Sequence, residues 1–307
     1  MTPLSIIYKL GHKLNLSKAI TNTAPIPVIC VGNITAGGSG KTPSIIALHK
    51  LIEKHKIYNA PYFLSRGYGG SEKSPRRISV HDDANETGDE PLLLASHSNT
   101  IISARRYDGA MLAYNMGADI VLMDDGFQNQ SLYKDLSFIV INGKTGLGNG
   151  KMIPAGPLRE SVEDALKRAN AVIIIGDDES DIKTIIPKNI PVFKAYIKPS
   201  NIDKIDRDAP YIAFAGLAHP QKFHDTLLEN NINIASFHEF SDHHKFSPKE
   251  IDRLIKEAKD NGSKLITTEK DYMRIPDKYR EFIEYFPIEL VWKNEADILQ
   301  LLRGLSK

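Results

Sequence analysis

From residue 26 onward, short apolar β-branched runs alternate with segments of helical period. Pro27–Val31, Tyr62–Ser65, Thr100–Ser103, Asp119–Met123, Phe138–Ile141 and Ala171–Ile175 read as strands that are nearly continuously apolar. That is the pattern of strands covered on both faces rather than one. Between the first two, Ile45, Ile46, Ala47, Leu48, Leu51 and Ile52 recur at helical spacing. The alternation predicts an α/β fold, a mostly parallel sheet with helices on both faces. A smaller repeat of the pattern follows, with strands near Tyr211–Ala215, Asn233–Phe237 and Lys264–Thr267 and a helix carrying Ile251, Leu254, Ile255 and Ala258. Ile190–Tyr196 and Ile288–Trp292 both alternate, so they are expected to pair as a short two-stranded connector. The predicted organisation is residues 1–190 as one domain, 191–294 as a smaller α/β domain with the connector, and 295–307 as a helix returning to the first.

The opening segment changes this picture at the N-terminus. Thr2-Pro3 reads as an N-cap and first helical position, after which Leu4, Ile7, Tyr8 and Leu14 share a face opposite Ser5, Lys9, His12 and Lys13. No acidic residue precedes Glu53, whereas Lys9, Lys13, Lys18, Lys41 and Lys50 all fall there. Such an amphipathic helix either docks on its own domain or lays its lysines against anionic lipid headgroups. A cleaved signal peptide is not expected, because lysines interrupt the apolar positions.

Composition then narrows the function classes. A chain of 307 residues accommodates about two domains, and 41% hydrophobic with 25% charged residues excludes wholesale disorder. Lys plus Arg is 39 against 38 Asp plus Glu, so a net charge of +1 argues against general nucleic-acid affinity. The single cysteine, Cys30, forms neither an internal disulfide nor a cysteine zinc site and fits a reducing compartment. No apolar run approaches the roughly 20 residues that span a bilayer.

The chemistry is concentrated after the first strand. Thr35-Ala36-Gly37-Gly38-Ser39-Gly40-Lys41-Thr42 follows Val28–Val31 directly and precedes a helix, the context a P-loop requires. Its glycines let backbone N–H groups curl round phosphate oxygens, with the helix N-terminus adding a favourable dipole. Lys41 is placed to neutralise β- and γ-phosphates, and Thr42 to offer its hydroxyl to Mg²⁺. Ile120–Asp125 ends an apolar strand in two carboxylates, the Walker B arrangement, with Asp124 toward Mg²⁺ and Asp125 toward the transferring phosphate. A guanine-reading string would carry lysine one residue earlier than Thr268-Glu269-Lys270-Asp271 does, which favours ATP. A partition-type ATPase with a deviant P-loop is the rival reading, but such loops carry lysine where Ala36 stands. Arg66, Arg105 and Arg159 are the candidates for the arginine that stabilises transferring charge, and Glu160 for a second carboxylate near Mg²⁺.

A more specific pattern runs through residues 26–271. Val31–Pro43 is followed in order by Ser65-Arg66-Gly67-Tyr68-Gly69, Gly88–Leu93, Asp124-Asp125-Gly126-Phe127-Gln128, Gly148–Gly150 with Pro154–Glu160, Ala215–Ala218, Asp242-His243 and Thr267–Asp271. This series resembles the tetraacyldisaccharide 4′-kinases, the lipid A 4′-kinases, with Asn129 standing where that family usually has histidine. The resemblance implies a P-loop kinase fold and transfer of the ATP γ-phosphoryl group to the 4′-hydroxyl of an acylated glucosamine disaccharide 1-phosphate. It also implies work at the cytoplasmic face of a bacterial inner membrane, which favours the lipid-facing reading of the N-terminal helix. Finally, it implies that Asp89 is the base and that His243 acts with it.

Overall fold

The computed structural model describes residues 20–305. The amphipathic segment expected at Thr2–Leu14 lies outside the described residues. Eight strands in chain order are β1 (Val28–Gly32), β2 (Pro61–Ser65), β3 (Arg76–Ile78), β4 (Thr100–Ile102), β5 (Ile120–Asp124), β6 (Leu136–Asn142), β7 (Ala171–Ile175) and β8 (Val192–Pro199). Five more follow: β9 (Tyr211–Ala215), β10 (Ile234–Glu239), β11 (Lys264–Thr268), β12 (Ile283–Phe286) and β13 (Ile288–Trp292).

The larger sheet has nine strands in the order β13-β8-β7-β6-β1-β5-β2-β4-β3. Its interior pairs are parallel, and only the edge pairs β13–β8 and β3–β4 are antiparallel. All five residues of β1, β2, β5 and β7 are buried, which is why those runs read as unbroken apolar stretches. The helix Lys41–Lys54 covers one face with Ile45, Leu48 and Ile52, each fully buried, and each such side chain contributes about 1.5–3 kcal/mol. Ala110 and Ala113 of the helix Arg106–Asn115 belong to the core on the opposite face. The predicted α/β architecture is borne out.

The smaller sheet has four parallel strands in the order β10-β9-β11-β12. Helices Pro220–Glu229 and Pro248–Asp260 pack against it, the latter opened by a capping box between Ser247 and Glu250. β13 does run antiparallel to β8, with Leu290 opposite Ile197 and Trp292 opposite Ala195. β8 also pairs along β7, so the large sheet continues past residue 191, where the sequence reading sets the domain boundary. The closing helix, Glu295–Arg303, buries Ile298 and Leu302 in the same core as Ile45 and Leu48. Two strands escape the sequence pattern. β3 is Arg-Arg-Ile on a sheet edge, and β12 is separated from β13 by Pro287 alone, so the alternation reads as one run.

Candidate active site

Parallel strands deliver their carboxyl ends to one edge, where ligands of such sheets bind. β1 ends there at Gly32 and runs into the glycine-rich loop. Gly37 (φ +104°) and Gly40 (φ +88°) take left-handed backbone, and Gly40 leads directly into the helix Lys41–Lys54. A side chain at Gly40 would be strained and would collide with Ile175. Asn33, buried, donates from Nδ2 to the carbonyl of Thr35 at 2.6 Å, and its own carbonyl accepts from Gln128 Nε2 at 2.7 Å. From outside, the Ala36 N–H donates to the carbonyl of Pro157 at 2.7 Å. The loop is therefore shaped before any ligand arrives.

Beside it, β5 presents its two carboxylates in different environments. Asp124 is buried, and its Oδ1 has no hydrogen-bond partner. Burial, then the charges of Glu90 and Asp125, push its carboxyl up to about 7, against the partial relief of Lys41 and Arg106. Asp125 takes left-handed backbone (φ +45°), with Lys41 Nζ 3.8 Å from its Oδ2 and Arg159 Nη1 3.2 Å from its Oδ1. Ser39 Oγ is likewise buried without a partner. Unpaired buried oxygens beside a lysine are costly unless something binds there.

Opposite the loop, the two halves of the chain meet. His243 Nδ1 lies 3.2 Å from Asp89 Oδ2, so residues far apart in sequence stand in hydrogen-bond contact. His243 holds left-handed backbone (φ +56°), a strained conformation for an imidazole residue. Asp89 opens the helix Asp89–Ala95 and is buried behind His243, Glu90 and Lys270. Burial opposes its ionisation, but the His243 hydrogen bond and the charges of Lys270 and Arg274 prevail and hold its carboxyl below the usual carboxylate range. A cleft of about 1550 Å³ joins everything: Lys41, Thr42, Asp124 and Asp125 on one wall, His243 and Lys270 on the other.

The remaining candidates divide. Arg66 and Arg159 line the cleft, as do the loop residues from Thr35 through Ala36, Gly37, Gly38, Ser39 and Gly40 to Thr42. Arg105 does not belong with them: its side chain is 85% exposed and pairs with Asp108 at 3.3 Å. The arginine turned inward is its neighbour Arg106, buried, lining the cleft, and donating to the Ser103 carbonyl at 2.6 Å. Glu160 is also placed otherwise than expected. Its buried carboxylate is taken up by Arg168, which stacks over Phe127, and by Gln128 Nε2 at 3.0 Å. That engagement ties Glu160 to Gln128, which also holds the Asn33 carbonyl below the loop. Asn129 lines the cleft, and its Oδ1 accepts from Ser131 Oγ at 2.9 Å. Sequence reasoning missed Arg106, Glu90, Lys270 and Arg274. Glu90 and Lys270 lie inside the ordered motifs, which was the available signal for them; Arg274 lies in the turn after the short helix Glu269–Tyr272 and carried none.

A family model described as tetraacyldisaccharide-1-P 4′-kinase matches residues 1–306. The chain belongs to the tetraacyldisaccharide 4′-kinase family. A tetraacyldisaccharide 4′-kinase of Parvibaculum lavamentivorans is 43% identical over 90% of this chain and 81% of its own length. Another, from Paramagnetospirillum magneticum, is 41% identical over 95% and 90%. The crystal structure of LpxK from Aquifex aeolicus in complex with ATP superposes with a TM-score of 0.81 at 26% identity, covering 99% of this chain and 98% of that one. The resemblance carried by the ordered motifs is thus borne out, and the protein is a kinase.

Proposed function

We propose that this family member transfers the γ-phosphoryl group of ATP to the 4′-hydroxyl of a tetraacylated glucosamine disaccharide 1-phosphate, giving the lipid IVA precursor in lipid A biosynthesis. The observation that carries the reading is one cleft with a phosphate loop, Lys41 and two carboxylates on one wall and His243, backed by Asp89, on the other. Phosphoryl transfer needs charge neutralisation and in-line positioning rather than covalent help, and this arrangement supplies both. That a relative was crystallised with ATP supports the choice of nucleotide.

The roles follow from the environments. Backbone N–H groups of residues 35–40 cradle phosphate oxygens, and Lys41 neutralises them. Arg159, held by Asp125, and Arg66 add positive charge at the same edge. His243 Nδ1, 3.2 Å from Asp89 Oδ2, joins the two side chains into one pair across the cleft from the loop. Asp89, buried and held ionised by its neighbours, and His243 beside it act as one pair in taking up the hydroxyl proton, as the motifs imply. Mg²⁺ fits the donor set, because Asp124 offers a buried carboxylate oxygen without a partner and Thr42 a hydroxyl on the same wall. Among the described residues no three His, Cys, Asp or Glu side chains converge, which suits an ion held jointly with phosphates. Bound there, Mg²⁺ would offset phosphate charge.

The substrate's acyl chains place the reaction at a membrane surface, for which we favour the cytoplasmic face of the inner membrane. Among the described residues no helix is long and apolar enough to cross a bilayer. Contact with anionic lipid is assigned to the N-terminal segment bearing Lys9 and Lys13. The test is thin-layer analysis of γ-labelled ATP incubated with the acylated disaccharide 1-phosphate. Label on the lipid supports the reading. Label released only as free phosphate would point to an assembly or partition-type ATPase, and no turnover to a nucleotide-binding adaptor.

A further inference from the structure

The groups that hold Asp89 come from the other half of the chain. Its Oδ1 accepts only the local N–H of Glu90, at 3.0 Å. Oδ2 receives Arg274 Nε at 2.8 Å, Arg274 Nη2, and His243 Nδ1 at 3.2 Å, with Lys270 Nζ at 3.7 Å. Arg274 reaches further. Its Nη1 donates to Asp271 Oδ1 at 2.7 Å and to the Gly216 carbonyl at 3.1 Å. That carbonyl also accepts the backbone N–H of His243 at 3.2 Å. Asp271 is itself pinned, accepting from Gly216 N–H at 3.0 Å and Thr268 Oγ1 at 2.8 Å. One guanidinium, its side chain 6% exposed, therefore joins the Asp89 carboxylate, its anchor Asp271 and the backbone that carries His243. Next to it, Met273 packs in the same apolar core as Leu92 and Leu93 of the Asp89 helix.

Buried charge is expensive, and a hydrophobic contact could hold these segments together at lower cost. The planar fork of arginine does what an apolar residue cannot: it fixes the bearing of two carboxylates at once. We propose that Arg274 is a positioning residue, which sets Asp89 beneath His243 Nδ1 by bridging the two halves of the chain, so that the proton acceptor is assembled by their contact. This rests on the reading of Asp89 and His243 as the pair that takes the hydroxyl proton.

The charged and titratable groups facing His243 are Asp89, Arg274, Asp242 (4.0 Å from Nε2) and the ring of Tyr68, with Glu90 and Lys270 behind Asp89. Arg274 Nη2 lies 3.5 Å from Nδ1. Steady-state kcat and KM for ATP and melting curves would be measured for Arg274→Gln, Arg274→Lys, Asp89→Asn, His243→Gln and the double variant Asp89→Asn/Arg274→Gln. Arg274→Gln is expected to lower kcat by ~10²-fold with KM for ATP nearly unchanged, as misplacement near the reacting atoms does. Arg274→Lys keeps the charge and loses the fork, so kcat falls here too, with KM for ATP nearly unchanged. The double variant is no slower than Asp89→Asn, since the two act as a unit.

Wild-type kcat in Arg274→Gln would overturn the proposal. So would losses that multiply in the double variant, or a loss of active enzyme that follows the melting curve with kcat per folded molecule unchanged. If Arg274→Gln fails to fold, Arg274→Lys decides, and full kcat in a folded Lys variant overturns it. Wild-type rates in both Asp89→Asn and His243→Gln, a separate outcome, would overturn the reading of the site itself and the proposal with it.

Discussion

Asp124→Asn should make the metal-free protein more stable at pH 8 while abolishing its turnover. The carboxyl of Asp124 sits at about 7 in the folded chain against an ordinary 3.8, chiefly because it is buried, with Glu90 and Asp125 adding repulsion. Between those values the folded state holds a proton that the unfolded state has released. Stability from this group is therefore fully present below about pH 4 and is lost as pH rises through 7. At ~1.36 kcal/mol per pH unit the gap corresponds to about 4 kcal/mol, and rearrangement of Lys41 toward Asp125 should reduce the observed gain to about 2–4 kcal/mol. For a chain of this length that is roughly 3–6 °C in Tm. Asparagine removes the buried charge at nearly constant volume, so the gain should be full at pH 8 and fall to less than half of that at pH 5. Denaturant or thermal melts of both proteins in EDTA, at the two pH values, check this. Adding Mg²⁺ with ATP should stabilise the wild type strongly and Asp124→Asn weakly, because the carboxylate that repels its neighbours is the one assigned to the ion. An Asp124→Asn protein that melts no higher than wild type at pH 8 would refute the electrostatic argument. Equal stabilisation of the two by Mg²⁺ and ATP would refute the metal assignment.

Lys41→Ala should leave the melting temperature within a few degrees and reduce activity to background; retention of more than about a tenth of kcat, a loss of only ~1.4 kcal/mol, would remove Lys41 from the phosphate site. His243→Gln and Asp89→Asn should each lower kcat by ~10²–10⁴-fold, and the double variant should be scarcely worse than the poorer single one, as kinetics of the full cycle would show. Arg105→Ala should keep near wild-type kcat, whereas Arg106→Leu, which empties the inward-facing position, should not; equal rates for the two would contradict the placement. Charge reversal at Lys9 and Lys13 should weaken flotation with anionic vesicles by about 1 kcal/mol per lysine in a salt-dependent way, leaving ATP binding intact.

The parts legible in the amino-acid sequence are those whose determinants are contiguous. The strand–loop–helix from Val28 to Lys54 declares itself because its apolar strand, glycines and helix are successive, and each residue's conformation depends mostly on its neighbours. The carboxylates at Asp124 and Asp125 are equally local, closing a strand that is apolar because both its faces are covered. Asp89 and His243 were visible through the family's motifs, but their contact and what holds it were not. That depends on what surrounds Asp89, and its surroundings come from residues 243, 270 and 274. Two adjacent arginines posed the same difficulty. Arg105 precedes the helix and faces solvent, while Arg106 is its first residue and turns inward, a difference set by where the chain leaves β4. Glu160 seemed free for a metal until folding brought Arg168 and Gln128 onto it. Periodicity and turn chemistry act over a few residues and survive in the string. Charge pairing acts across whatever the fold brings within a few ångströms, so only the tertiary structure decided which carboxylates are braces, which are available, and that Arg274 ties the halves together.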